Sequence, residues 1–292
     1  MNKVSRLFLG LSLAVSGITM GAAQDQPTPV KPPKFLQINV EDTKPGKGGL
    51  AHDKTESAFV QAMAKAKFPI NYFAYNSISG KPRGIYISGF DSFGELGKAN
   101  KAFEAPGVAA SFEPLNVADG ELLEDSHSLI LSYVDDLSLR PGVDLFHHRY
   151  LEADIIHVRQ GHFKEFHELA KLWVDLSQKA ATSAHWDAFR VEYGEDNGYV
   201  IFLTADKSFD DVDTGFADND KLGAILTDED KKKLRELRAA SIEEDRSEIY
   251  SVNPAQSYPP ESFIKADPGY WKPKAAAKPA AKPATDDKKA KQ

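Results

Sequence analysis

The chain has 292 residues, a formal net charge of −7 and no cysteine. The missing thiols exclude disulfides, thiolate metal sites, a cysteine nucleophile and covalent haem attachment. The acidic balance disfavours a nucleic-acid surface, which needs cations to displace phosphate counterions. Lys3 and Arg6 precede the apolar run LFLGLSLAVSGITMG, and Gly21, Ala22 and Ala23 follow. That run is too short to span a bilayer and breaks into QDQPTPVKPPK, so Met1–Ala23 reads as a removed secretory signal. A flexible lead follows over residues 24–33, and the expected location is periplasmic or secreted. An exported chain without disulfides must draw its stability from a packed core, and its length is sufficient for one.

Residues 34–104 form a first unit. PKFLQINV reads as a strand, KPGKGG as a glycine turn, and Phe59, Val60, Met63 and Ala66 fall on one side of a helix. Two further strands around Ser79-Gly80 suggest a hairpin, and Ser92-Phe93 opens a short helix. Residues 105–146 are a helical or loop connector, with Glu121 to Ser132 expected as a helix. Residues 147–217 repeat the first order: RYLEADIIHV, a glycine turn, then a helix lined by Phe163, Phe166, Ala170, Trp173, Val174 and Ser177. A hairpin at Asp196-Asn197-Gly198 and a helix opening at Ser208-Phe209 complete it. Phe35-Leu36 matches Tyr150-Leu151 and His52 matches His167, both at an offset of 115 residues. Residues 218–271 contain a charged helix capped by Thr227, expected to run to about Ser247, and a closing segment. The tail, 272–292, has seven lysines against Asp286 and Asp287. It cannot build a core, and it offers an electrostatic contact to an anionic envelope component. No later segment is apolar enough for a transmembrane anchor.

These elements give an α+β class with two ferredoxin-like βαββ(α) units in one chain. The arrangement resembles the dimeric α/β-barrel superfamily over residues 34–100 and 148–217. Within it, the chain looks like a secreted tandem member related to the NIPSNAP-like and antibiotic-monooxygenase-like barrels. The segment NPAQSYPPESFIKADPGYW, residues 253–271, also resembles the close of that group. The resemblance implies that the two units pair as a pseudo-twofold barrel; two separate sheet-helix domains are the alternative. Its relatives include cofactorless oxygenases, haem enzymes and binding modules, a range from which fold alone does not select.

Strand periodicity puts Leu36, Ile38 and Val40 on one side and Phe35, Gln37, Asn39 and Glu41 on the other. In the second unit Leu151, Ala153, Ile155 and His157 oppose His148, Tyr150, Glu152, Asp154 and Ile156. The apolar sides are expected to meet the helices, and the mixed sides to enclose a shared space. Gln37, Asn39, His148 and Tyr150 are then candidate pocket-lining residues, with Glu41, Glu152 and Asp154 as candidate acid/base groups. A polar network between the units is the alternative. Helix periodicity makes His52 and His167 structural histidines. No metal site is expected, because His148 and Glu152 lie about 13 Å apart along a strand, and no motif requires a cofactor. Three functions follow: an exported small-molecule-binding or envelope-associated protein, a cofactorless or noncovalent-haem monooxygenase-like oxidoreductase, and a non-enzymatic envelope scaffold.

Overall fold

The computed structural model describes residues 31–142 and 145–272. The segment read as a signal, most of the expected lead and the lysine-rich tail beyond Lys272 lie outside the described residues. The first half runs β1 (Phe35–Thr43), α1 (Leu50–Ala66), β2 (Phe73–Ser77), β3 (Arg83–Phe90), α2 (Phe93–Phe103), α3 (Pro106–Gly120) and β4 (Leu123–Tyr133). The second runs β5 (Tyr150–Val158), α4 (Phe163–Lys179), β6 (Asp187–Tyr193), β7 (Tyr199–Asp206), α5 (Phe209–Ile225), α6 (Asp228–Ser241) and β8 (Ile242–Val252), then α7 (Glu261–Ala266) and α8 (Pro268–Trp271). The strands close into one antiparallel barrel in the order β1-β3-β2-β8-β5-β7-β6-β4. Read from β4 and from β8, the two halves share one strand order.

Local chemistry explains several boundaries. Ser92 Oγ accepts the Glu95 N–H at the start of α2, and Thr227 with Asp230 forms a reciprocal cap on α6. Both satisfy amides that a helix leaves unpaired. The β6–β7 hairpin needs Gly198, whose φ is 112° and whose added Cβ would sit 2.9 Å from the Val158 carbonyl oxygen.

Two expected helices are corrected. Leu123–Tyr133 is a strand, not a helix: in SHSLILSY the serines favour competing backbone bonds, and Leu129 and Leu131 alternate into the core. The charged helix likewise stops at Ser241, and Ile242 turns extended to start β8. Residues placed in the connector and the closing segment thus supply the fourth strand of each half.

The orientation of the sheet is also corrected. Leu36, Ile38 and Val40 pack in one interior core with Leu151 and Ala153, and Ile155 packs against it. The apolar rows face the barrel axis, and the mixed rows face the helices. The physical reason is closure: the interior of an eight-stranded barrel is just wide enough for side chains to fill, so water cannot satisfy a polar row there. Beneath the helices, polar partners and solvent are within reach.

Each barrel mouth is closed differently. At one end Arg83 grips Asp42, with Nε 2.7 Å from Oδ1, and reaches Glu248 at 3.5 Å. At the other, α7 and α8 bring Trp271 against Phe73 and Phe263, and its indole N–H donates to the Phe146 carbonyl at 2.8 Å.

Candidate metal centre

Under the helices of the first half, four ligating side chains converge. Glu41 projects from β1, His52 and Glu56 lie one turn apart on α1, and Asp119 comes from the last turn of α3. One ligand atom from each lies within 4.8 Å of all the others. His52 Nε2 is 3.1 Å from Glu41 Oε2 and 3.6 Å from Asp119 Oδ1. Thr55 Oγ1 donates to Asp119 at 2.5 Å and fixes that carboxylate. His52, Glu56 and Asp119 are each only 4% exposed.

The backbone makes room for this set. Gly84 of β3 stands beside Glu41 in register. A Cβ added at Gly84 would lie 3.0 Å from Tyr86 Oη and 3.3 Å from His52 Cε1. Tyr86, on the same sheet face, packs with Val60, Tyr72 and Ala74. Its hydroxyl is buried beside Glu56 without a well-formed hydrogen bond, and burial, then the charge of Glu56, raises it. Beside His52 opens a polar cleft of about 320 Å³, lined by Thr43, Gly48, Gly49, Asn76 and Ser77 among others. Of the four residues, His52 is the one that reaches this cleft.

Electrostatics shows that the cluster is short of positive charge. Burial raises Glu56 to about 9, the charges of Glu41 and Asp119 add to this, and the Tyr86 hydroxyl opposes it. Burial also raises Asp119 against the Thr55 hydrogen bond. For His52, burial alone would lower the pKa; the Glu41 hydrogen bond and the charges of Asp119, Glu41 and Asp53 outweigh it and leave the imidazole raised. Among the described residues no lysine or arginine forms an ion pair with Glu41, Glu56 or Asp119. Buried carboxylates without a cation must take up protons or bind an ion. The donors fit an ion: one imidazole and three carboxylates suit a divalent first-row metal, and the Tyr86 hydroxyl beside Glu56 could support that carboxylate. This overturns the expectation that no metal site or cofactor is called for.

The other expected site residues do not gather. Asn39 faces outward and accepts from Ser128 at 2.7 Å and from the more distant Gln37 amide. The Tyr150 ring packs tilted against Phe209, 4.2 Å between centroids, on the outer face. Glu152 lies beside Asp206; burial, then the neighbouring carboxylate, raises it. Asp154 accepts from Ser247 on β8. His148 does enter the barrel end, 2% exposed, with Nε2 3.1 Å from the Tyr75 hydroxyl and its ring near Phe73 and Trp271. Glu41, Glu152 and Asp154 thus share no pocket, because the row that carries them points out of the barrel. His52 is buried as its helix position implied, but its partners are carboxylates. His167, placed against the sheet by periodicity, is half exposed and pairs with Asp136 at 2.7 Å. Glu56 and Asp119 were missed; the one-turn spacing of His52 and Glu56 was visible in the sequence, whereas nothing local marked Asp119 as their partner.

No family model matches the chain, and no curated protein matches it. Solved structures do. An anthrone oxidase-like protein aligns at 15% identity and a TM-score of 0.50, covering 75% of this chain and 91% of its own. A protein of Fusobacterium nucleatum subsp. nucleatum, provisionally named a monooxygenase, aligns at 10% identity and a TM-score of 0.49, covering 76% and 94%. With its closed eight-stranded topology and the first of these likenesses, the chain has the ferredoxin-like, dimeric α/β-barrel fold.

Proposed function

We propose that this protein binds a divalent transition-metal ion, manganese, iron or zinc, through Glu41, His52, Glu56 and Asp119. The observation that carries this reading is four ligand atoms within 4.8 Å of one another, three on buried residues and one on half-buried Glu41, with no lysine or arginine paired to the carboxylates among the described residues. Such an ion would supply Lewis-acid chemistry or, if redox-active, one-electron chemistry. The chain's own residues do the rest. Thr55 holds Asp119 in place, Glu41 and Asp119 flank His52 Nε2 so that an ion would replace the proton they share, and the cleft beside His52 admits a small polar reactant. The reaction class we infer is a small-molecule oxidoreductase of monooxygenase-like type; the likeness to an anthrone oxidase-like protein supports it at the level of fold. We further read the two halves as a duplicated unit paired about a pseudo-twofold axis. We also read Met1–Ala23 as a signal for export and the lysines of the tail as a contact to an anionic envelope component.

The test is calorimetric titration of chelator-treated protein with Mn²⁺, Fe²⁺ (anaerobically) and Zn²⁺, with metal analysis of the protein as purified. One equivalent should bind, and Glu56→Gln should weaken binding by about 100-fold or more while the fold persists. Absence of stoichiometric binding by all three ions, or full affinity in Glu56→Gln, would remove this reading.

A further inference from the structure

Behind the four ligand side chains, the first half holds a row of phenols that leads away from the cluster. Tyr86 comes first, its hydroxyl buried beside Glu56. The Tyr72 ring follows, 6.0 Å from Tyr86 and edge to face with it, and Tyr258 lies 6.4 Å beyond Tyr72. Tyr86 and Tyr72 are buried, and the row ends at half-buried Tyr258. The backbone fixes this order: Tyr72 and Tyr258 exchange two N–H···O bonds of 3.0 Å, and Ala74 pairs with Tyr86 in register.

The second half shows that packing does not require these hydroxyls. There Ala188 pairs with Phe202 as Ala74 pairs with Tyr86, and the Phe202 and Trp186 rings lie 6.5 Å apart, edge to face. Trp186 forms an isolated bridge as Tyr72 does, but to Leu139 rather than to a tyrosine. Phe202, Trp186 and Leu139 thus take the places of Tyr86, Tyr72 and Tyr258, and Lys171 stands at the offset of Glu56. Burying the Tyr86 hydroxyl without a well-formed hydrogen bond is costly, and a phenylalanine avoids that cost. The phenols therefore accompany the acids, and only a phenol gives up an electron readily.

We propose that Tyr86 is a redox-active residue of the metal centre, and that Tyr72 and Tyr258 pass it electrons from a phenolic reductant at the surface. This rests on the metal centre proposed above, with iron as the ion and hydrogen peroxide as the oxidant. Peroxide takes one electron from Fe²⁺, one from Tyr86 and two protons from solvent, and its O–O bond breaks to give two waters. The ion is left ferric. Tyr86 is left a neutral tyrosyl radical, its proton passing to Glu56, because an uncompensated charge is costly among Val60, Met63 and Ala74. An electron then returns through Tyr258 and Tyr72, and Tyr86 recovers its proton from Glu56. The external phenol leaves as a phenoxyl radical, its proton released to water.

The test is freeze-quench electron paramagnetic resonance of the full chain, saturated anaerobically with Fe²⁺ and mixed with hydrogen peroxide. A tyrosyl signal should appear in the parent and be lost in Tyr86→Phe. In Tyr72→Phe and Tyr258→Phe the signal should form as before, but guaiacol should discharge it about tenfold or more slowly than in the parent. Calorimetric titration with Fe²⁺ accompanies each variant. Iron bound without a tyrosyl signal would overturn this proposal and leave the metal reading standing, whereas no iron bound would remove both. An equal signal in Tyr86→Phe or in Glu56→Gln would assign the radical elsewhere and overturn the proposal. So would guaiacol discharge that is unchanged in both relay variants.

Discussion

Glu56 concentrates the physics of the first half. In water its carboxyl would ionise near 4.5; burial beside Glu41 and Asp119 holds the proton up to about 9. A carboxyl raised in the folded state binds protons that the unfolded state has released, so its contribution to stability is complete below the unfolded value and is lost as pH rises toward 9. Metal-free protein should therefore lose melting temperature from about pH 5 to pH 9. Glu56→Gln, neutral throughout, should flatten that slope and melt higher than the parent at pH 8. A variant with the parent's slope would show that Glu56 ionises normally. The same proton competes with a metal. Apparent affinity should rise by up to about tenfold per pH unit below 9 and then level, as titrations in one buffer series would show. At Gly84, an added methyl would press on both Tyr86 Oη and His52 Cε1. Gly84→Ala is expected to weaken metal binding by about tenfold, with only a small change in melting temperature.

Among the elements, α7 and α8 do more than their length suggests. Trp271 is fully buried and fills one barrel end beside Phe73, His148 and Phe263. Arg149, just before β5, ties the plug down by pairing with Asp267 and lying 3.6 Å over the Tyr270 ring. Trp271→Ala should cost about 3–5 kcal/mol in urea unfolding. Trp271→Phe keeps an aromatic ring but loses the bond to Phe146, and its cost should be smaller. A cost under about 1 kcal/mol for the alanine variant would mean that the barrel end closes without it. The two large α/β faces also differ in what they cover. His52 and Glu56 lie one turn apart on α1 over Glu41, whereas the residues at the same offset in the second half are His167, Lys171 and Ile156. One strand plan thus supports an acidic buried cluster on one side and a face of rings and aliphatics on the other.

At the scale of the whole molecule, closure governs behaviour. The halves meet along two short seams, β2 with β8 and β4 with β6, and between them they leave no strand edge unpaired. The interior core draws side chains from both halves, so neither half buries its apolar row alone. Calorimetry should show one cooperative transition for residues of both halves, with calorimetric and van't Hoff enthalpies equal. Val252→Ala, at the β2–β8 seam, should lower that transition by roughly 2 kcal/mol without splitting it. Two resolved transitions would show that the halves fold independently.

Local pattern was enough to place β1, α1, β5, α4, the hairpins, the helix openings at Ser92-Phe93 and Ser208-Phe209, and the cap at Thr227, because capping chemistry and amphipathic period act over a few residues. It also separated the two rows of each strand correctly. Which row points inward was a tertiary decision. A sheet with helices on one face can bury its apolar row against either the helices or a second sheet, and closure into a narrow barrel selected the second. That reversal carried Glu41 out of a supposed shared cavity and under α1. There α3, from a segment read as connector, delivered Asp119 from 67 positions beyond His52. The sequence alone determined β1, α1, β5, α4 and the hairpins; the closed barrel drew the segments of β4 and β8 into strands and decided which acids share a site, because only long-range packing sets the distance between side chains so far apart in the chain.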